Sequence, residues 1–508
     1  MPSSHSSTQQ RSPQGRASTG VAGLDDVLGG GLSRNRLYLL EGTPGTGKTT
    51  LALQFLLEGA RQGERGLYVT LSETEEELHD VAASHGWSLE ALTIFELITE
   101  DALDPERGQS LLHPSEVELE ETTRGVFEQM ERIKPARLVF DSLSEMRLLA
   151  QSPLRYRRQI LALKHFFRNR QCTVLMLDDR TGEAKDLQLH SIAHGVITLE
   201  QSAMKFGTER RTLRVVKMRG TKFRGGYHDF VLDTGGLSVF PRLVAAEHQG
   251  EFRDEVASTD VAELDALLGG GLVRGTNTLL LGPAGVGKTS TSVRCVLAAL
   301  ERGENAAYFL FDEGFGTLLS RAEHLGMDLR PHLVAERLTV RQVDPAELSP
   351  GEFTAKVRHS VENDGARVIV IDSLNGYLQS MPEEKFLVLQ MHELLSYLSQ
   401  RGVITLMILG EHGLLGDVRV DVDLSYLADV VLLLRFFEAD GEVRKAISVI
   451  KTRTTEHERT IHEFRLGADG LRVGVPLRGF RGIITAIPTY RGDTAMLPQA
   501  APTGAKPP

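Results

Sequence analysis

Gly42-Thr43-Pro44-Gly45-Thr46-Gly47-Lys48-Thr49, with Thr50 next, is the stretch that decides the fold. It fits the phosphate-loop pattern of glycine, four residues, then Gly-Lys-Ser/Thr. Its surroundings are the ones such a loop requires. Before it, Leu37-Tyr38-Leu39-Leu40 is a short apolar run that reads as a buried strand. After it, Lys48 to Arg61 sets Leu51, Leu53, Phe55 and Leu56 among Ala and Gln, which reads as a helix. Glycines let the backbone turn its N–H groups onto a phosphate, and the helix N-terminus adds a favourable field for an anion. Lys48 is expected to reach the β- and γ-phosphates of a nucleotide, and Thr49 to hold a magnesium ion.

The chain does this twice. Gly282-Pro283-Ala284-Gly285-Val286-Gly287-Lys288-Thr289, with Ser290 next, repeats the pattern at an offset of 240 residues. The lead-in repeats too, Leu24-Asp25-Asp26-Val27-Leu28-Gly29-Gly30-Gly31-Leu32 against Leu264-Asp265-Ala266-Leu267-Leu268-Gly269-Gly270-Gly271-Leu272. A period this long means a duplicated domain, not a solenoid of ~20–50-residue repeats.

The bounds agree. A chain of 508 residues holds two domains of that size, expected at 19–245 and 246–485, with disordered tails at 1–18 and 486–508. The linker is expected near 243–260, where charged residues interrupt the apolar pattern. A formal charge of −11 argues against a protein that coats nucleic acid. Cys172 and Cys295 sit in apolar runs at non-matching positions and read as buried thiols, with no disulfide frame and no zinc site. Residues 1–18 lack the apolar segment of a secretory leader, and no run approaches the ~20 residues of a membrane span. A cytoplasmic chain is expected. Strand-like and helix-like segments alternate in both halves, ending in short alternating runs. The fold class is therefore α/β, each domain a mostly parallel sheet flanked by helices with edge hairpins.

Three further constellations recur. Asp141 and Asp372 each end an apolar strand and precede Ser-Leu, where an acid can complete a magnesium shell opposite Thr49 or Thr289. Glu73 and Glu313 follow the next strand at the 240-residue offset, placed to orient and deprotonate an attacking water or hydroxyl. The preceding positions differ: Asp312 gives the second domain a carboxylate pair, while Ser72 leaves Glu73 alone. Finally, Lys217 with Arg219 and Lys451 with Arg453 end alternating runs at the far sheet edge. From there they are expected to reach a neighbouring subunit's phosphates rather than their own, the arginine-finger device.

On these motifs, together with Arg459-Thr460-Ile461-His462-Glu463-Phe464 and Gly479-Phe480-Arg481-Gly482-Ile483, residues 19–485 resemble the KaiC branch of the RecA-like ATPases. The likeness is closer to bacterial KaiC-like members than to the cyanobacterial clock protein itself. The resemblance implies tandem RecA-like domains and ATP with Mg2+ as cofactors. It further implies a homohexameric double ring with nucleotide at the subunit interfaces, Lys217/Arg219 and Lys451/Arg453 reaching the neighbour's γ-phosphate. It carries the carboxylate pair onto Asp312 and Glu313, and only half of it onto Glu73. Alignment on Asp429 puts Ser425 and Tyr426 at the Ser-Thr pair that some members phosphorylate, so serine survives and threonine does not. The implied activity is ATP hydrolysis in signalling, with serine/threonine autokinase activity at Ser425 as an added expectation and the signalling partner unidentified. Two other readings stand beside it, a RecA- or helicase-like DNA-dependent ATPase and a nucleotide-gated scaffold with negligible turnover.

Overall fold

The computed structural model describes residues 15–97, 114–150, 152–180, 188–204, 207–248, 250, 255–379, 386–411, 425–483 and 489–490. The chain divides into two compact units between Arg242 and Leu243.

The first unit runs β1 (Leu37–Glu41), α1 (Lys48–Arg61), β2 (Gly66–Thr70), α2 (Glu75–Ser84), β3 (Leu92–Glu96), α3 (Pro114–Ile133), β4 (Arg137–Asp141), α4 (Leu143–Ala150), α5 (Pro153–Arg168), β5 (Thr173–Asp178), α6 (Gln188–Ile192), β6 (Gly195–Ser202), β7 (Arg210–Met218), β8 (Tyr227–Asp233) and β9 (Gly236–Phe240). Nine strands lie in the order β9-β8-β7-β6-β1-β5-β4-β2-β3. β3 through β6 are parallel, and β7, β8 and β9 add antiparallel hairpins at one edge. β1 is central and buried on both faces: Tyr38 and Leu40 enter one apolar cluster, Leu37 and Leu39 the other. That explains its unbroken apolar run, since a strand covered on both sides has no polar face to alternate.

The second unit repeats this with β10 (Asn277–Gly282), α7 (Lys288–Glu301), β11 (Asn305–Leu310), α8 (Phe315–His324), β12 (Leu338–Gln342), α9 (Pro350–Glu362), β13 (Ala366–Asp372), α10 (Leu374–Gln379), α11 (Leu387–Gln400), β14 (Ile404–Gly410), β15 (Val430–Ala439), β16 (Glu442–Thr452), β17 (His462–Gly467) and β18 (Gly470–Pro476). Its sheet order is β12-β11-β13-β14-β10-β15-β16-β17-β18. Both units are RecA-like α/β domains.

The triple-glycine lead-in has a steric cause. Gly31 and Gly271 have φ of 101° and 133°, and a Cβ on either would meet a carbonyl oxygen, of Ala17 or Ala257, at 2.5 Å. Those carbonyls belong to short strands, Arg16–Ala17 and Val256–Ala257, that pair with the residues just after the glycines.

Residues 16–18, expected in a disordered tail, therefore belong to the domain. Ala17 is fully buried, and Ser18 Oγ donates to Asp25 at 2.6 Å, as Ser258 Oγ does to Asp265. Residues 243–248, expected in the linker, pack on the second unit, with Leu243 and Ala245 in its core. Thr489–Tyr490, expected in the disordered C-terminal tail, form a short strand that pairs with Phe480–Arg481. The rest of the expected tails lies outside the described residues, apart from Gly15. The Thr74–Glu77 capping box forms at α2. The spacing of Ser115 and Glu118 reads as a second capping box, but those side chains lie outside the described residues.

One buried ion pair belongs to the first unit alone. Arg137 has no exposed surface and donates to Glu64 at 2.5 Å and to the carbonyls of Ser18 and Phe55 at 2.6 and 2.8 Å. Arg137→Met is expected to cost about 3 kcal/mol. That is the low end for breaking a buried pair, since Arg34 still neutralises Glu64. Urea unfolding of the first unit checks this, and a loss below ~1 kcal/mol refutes it.

Candidate active site

Each phosphate loop leaves its strand and enters its helix through a left-handed glycine, Gly47 at φ 94° and Gly287 at φ 119°. The tips Thr43-Pro44-Gly45 and Ala284-Gly285 are exposed, while Gly42, Gly282, Pro283, Thr46 and Val286 are buried. Thr46 Oγ1 closes its loop on the Thr43 carbonyl at 2.8 Å. Both lysines fold back onto their loops. Lys48 Nζ donates to the carbonyls of Gly42 and Thr43 at 2.8 and 3.0 Å, and Lys288 Nζ to those of Gly282 and Pro283 at 2.7 and 2.8 Å. Lys48 also pairs with Asp179, just past β5, at 2.8 Å. Burial holds Lys288 below the usual lysine range, opposed by Asp372 and Glu411. Thr50 points inward, 3.4 Å from His85, whereas Ser290 lines a cavity with its loop.

The expected acids converge on the loops. In the second domain Thr289 Oγ1 donates to Asp372 Oδ2 at 2.8 Å, and Tyr308 Oη donates to the same oxygen at 2.9 Å. In the first, Tyr68 Oη donates to Asp141 Oδ2 at 2.6 Å, and the Thr49 side chain lies beside Asp141 and Glu73 and lowers the pKa of both against the effect of burial. Burial pushes the Asp141 carboxyl up to about 6. Burial, with Asp141 beside it, pushes Glu73 up to about 7. Glu73 Oε2 is buried and has no hydrogen-bond partner among the described residues. A hydroxyl beside crowded carboxylates is the all-oxygen donor set a hard divalent cation takes, usually completed by nucleotide phosphates. Among the described residues no group of three or more His, Cys, Asp and Glu could hold a metal ion.

The two domains treat the second acid differently. Glu313 is held by Arg321 through two bonds, 2.8 and 2.7 Å, and Arg321 lines a cavity of about 340 Å³ with Gly285, Gly287, Lys288, Thr289 and Ser290. Asp312 accepts a hydrogen bond from Ser373 Oγ. In the first domain Val81 stands where Arg321 does, Ser72 is exposed, and Ser142 Oγ has no partner among the described residues.

The basic pairs lie at the opposite end of each sheet. Lys217 is opposite Val196, near the strand end where β6 begins beside Tyr38 of β1, whereas the phosphate loop follows the other end of β1. A bulge precedes each pair, leaving Val216 and Ile450 exposed and unpaired. It re-aims the following residues. Lys217 Nζ and Arg219 then grip the carbonyls of His190 and Ser191 on α6. Lys451 and Arg453 grip those of Ala428 and Tyr426 at 2.8 and 3.0 Å, and Arg453 also meets Asp429 at 3.4 Å. Basic groups favour the carbonyl end of a helical turn. The side chain of Ser425, the expected phosphorylation site, lies outside the described residues.

With this geometry in place, the comparison with known families is decisive. A family model described as "ATPase: KaiC" matches residues 17–244 and again 257–477. The chain belongs to the KaiC family of ATPases. It is similar along nearly its whole length to the circadian clock protein KaiC3 of Synechocystis sp., at 26% identity over 482 residues, covering 94% of this chain and 95% of that one. It is similar also to the circadian clock oscillator protein KaiC of Synechococcus elongatus, at 27% over 480 residues, covering 93% and 91%. Synechocystis KaiC2 is 26% identical over 465 residues. Among the described residues no helix is long and apolar enough to cross a membrane.

Sequence reasoning missed four features of this ATPase. Tyr68 and Tyr308, at the same 240-residue offset, carried a signal that could have found them. Asp179 and its counterpart Glu411, which pairs with Arg435 at 2.5 Å, differ in type and spacing. Arg321 has Val81 at its counterpart position and left no repeat to read, whereas Lys445, which donates to the Gly285 carbonyl at 3.2 Å, lies at the register position of Arg211, a repeated basic position that could have found it.

Proposed function

We propose that both phosphate loops bind Mg·ATP and hydrolyse it, that the protein works as a hexameric double ring with nucleotide at subunit interfaces, and that it acts in cytoplasmic signalling through a partner that reads the nucleotide state of the ring. The observation that supports this best is the duplicated set around each loop, a lysine, a threonine, a strand-end aspartate and a tyrosine. Thr49 with Asp141, and Thr289 with Asp372, would hold Mg2+, which neutralises phosphate charge. Glu73 and Glu313, the latter aided by Asp312, orient and deprotonate the attacking water. Lys217 with Arg219, and Lys451 with Arg453, complete the neighbour's site.

ATP labelled at the γ-phosphate tests the reading. Label is expected as free phosphate, reduced by Lys48→Ala or Lys288→Ala and lost in the double variant. No release above the double variant sinks it and favours a scaffold without turnover. Label on Ser425 that vanishes with Lys288→Ala would add autokinase activity in the second domain. Turnover that depends on single-stranded DNA and collapses with salt would favour the motor reading.

Arg321 gives the two domains different bases. Arg321→Val in a Lys48→Ala background is expected to raise second-domain phosphate release by up to ~5-fold, since a partly exposed pair contributes ~1 kcal/mol or less. An unchanged or lower rate refutes the clamp.

A further inference from the structure

The first domain carries a cavity of about 390 Å³ away from its phosphate loop, at the start of β1. Arg36, Lys164, Arg168, His194 and Arg219 line it, over a floor that includes Phe167 and Cys172. Among the described residues no carboxylate forms an ion pair with any of these five. Lys164 Nζ and Arg219 reach only the carbonyls of Ile192 and Ser191, at 2.5 and 2.7 Å. The groups crowd one another: Lys164 is held below the usual lysine range by burial and by Arg219 and Arg168, and His194 is lowered by burial and by Arg36 and Arg219. Like charges gathered around a concavity of small-molecule size need a counter-anion.

The second domain shows that the fold does not demand this. Val174 N–H donates to the Arg36 carbonyl as Thr405 does to that of Thr276, and His194 N–H to Leu37 as Asp429 does to Asn277. Thr276 and Asp429 thus replace Arg36 and His194. Counting back from the same strand register, Leu395 and Ser399 replace Lys164 and Arg168. There the space is closed by neutral and acidic bonds, Asn277 Nδ2 to Ser399 at 3.1 Å and Asn277 N–H to Asp429 at 3.0 Å.

We infer that this first-domain pocket is a binding site for a polyphosphate anion, with Lys164 and Arg168 as its principal ligands. The anion is either the nucleotide tail of an adjoining subunit or a free polyphosphate. The site extends beyond the Lys217/Arg219 pair and does not depend on hydrolysis.

Calorimetric titration of sodium tripolyphosphate into the full chain carrying Lys48→Ala and Lys288→Ala tests it with both phosphate loops disabled. The parent is expected to bind, and Lys164→Gln with Arg168→Gln to weaken binding at least tenfold. Arg157→Gln with Arg158→Gln removes the same charge from the same helix outside the cavity and is expected to leave affinity within twofold. Lys164→Arg with Arg168→Lys is expected to retain binding. Single Gln variants, checked by thermal melting, replace the double if it fails to fold. No binding by the parent, or equal weakening by both Gln pairs, overturns the inference, as does an affinity within twofold of the parent in the pocket variant. Given a loss, size-exclusion chromatography with ATP on the intact-loop protein identifies the source. Impaired ATP-driven assembly in the pocket variant assigns the neighbour's nucleotide; unimpaired assembly assigns a free anion.

Discussion

Glu73→Gln, measured in a Lys288→Ala background so that the first domain dominates turnover, is expected to lower ATP hydrolysis by ~10²–10⁴-fold, the usual contribution of a positioned general base. The geometry favours Glu73 over its counterpart. Its backbone N–H is fixed by Thr70 Oγ1 at 3.0 Å, and among the described residues its buried Oε2 has no hydrogen-bond partner and no arginine neutralises it. Loss of activity through unfolding has a separate signature. Gln removes a carboxyl that is crowded by Asp141, so the variant is expected to melt no lower than its parent. Nucleotide affinity should stay within a few-fold, because Lys48 and the loop amides are untouched. Phosphate release, nucleotide binding and thermal melting together decide the matter. A fall of less than about tenfold in a folded, nucleotide-binding variant would move the base elsewhere, with Asp179, the ion-pair partner of Lys48, next in line.

The phosphate loops, strand-end acids and sheet class were legible because their causes are local or doubled. A phosphate loop needs glycines at fixed offsets, a doubly covered strand shows an unbroken apolar run, and duplication filters chance matches. Residues 16–18 were misread because Ser- and Arg-rich composition resembles a tail. What orders them is a side-chain bond to Asp25 and a strand pairing closed by Gly31, neither visible in composition. The Arg321–Glu313 pair was missed for a different reason. It spans the loop from an acid to the second turn of a helix, and its meaning lies in the contrast with Val81, which the duplication search discards as mismatch. The cationic pocket escaped for the same cause, its groups coming from separate elements with no copy in the second domain.

Arg219→Ala and Arg453→Ala are expected to have the largest effects of all, in the range of ~10³–10⁵ that an arginine supplied in trans is worth in GTPases. The argument is topological. In the first domain the length of β1 separates the pair from its own loop: Lys217 lies opposite Val196, near the β1 start, while Gly42 follows the β1 end. The second domain repeats this, with Lys451 opposite Val431 and Gly282 at the far end of β10. Anchoring on the carbonyls of His190, Ser191, Ala428 and Tyr426 fixes both pairs on a turn that precedes the parallel strand beside each loop strand. A side chain held there is remote from its own phosphate loop, which supports the proposal that it serves a site on another copy of the chain. Mixing supplies the decisive control. Lys48→Ala and Arg219→Ala protomers, each also carrying Lys288→Ala, are inactive alone. In a mixed ring an Arg219→Ala protomer keeps an intact phosphate loop and receives Arg219 from a Lys48→Ala neighbour. Hydrolysis is therefore expected to reappear on mixing and to fall on dilution below the assembly concentration. A monomer that hydrolyses ATP at an undiminished rate after both arginines are removed would end the in-trans assignment, and failure of the mixture to recover would place the arginines at their own subunit's phosphates.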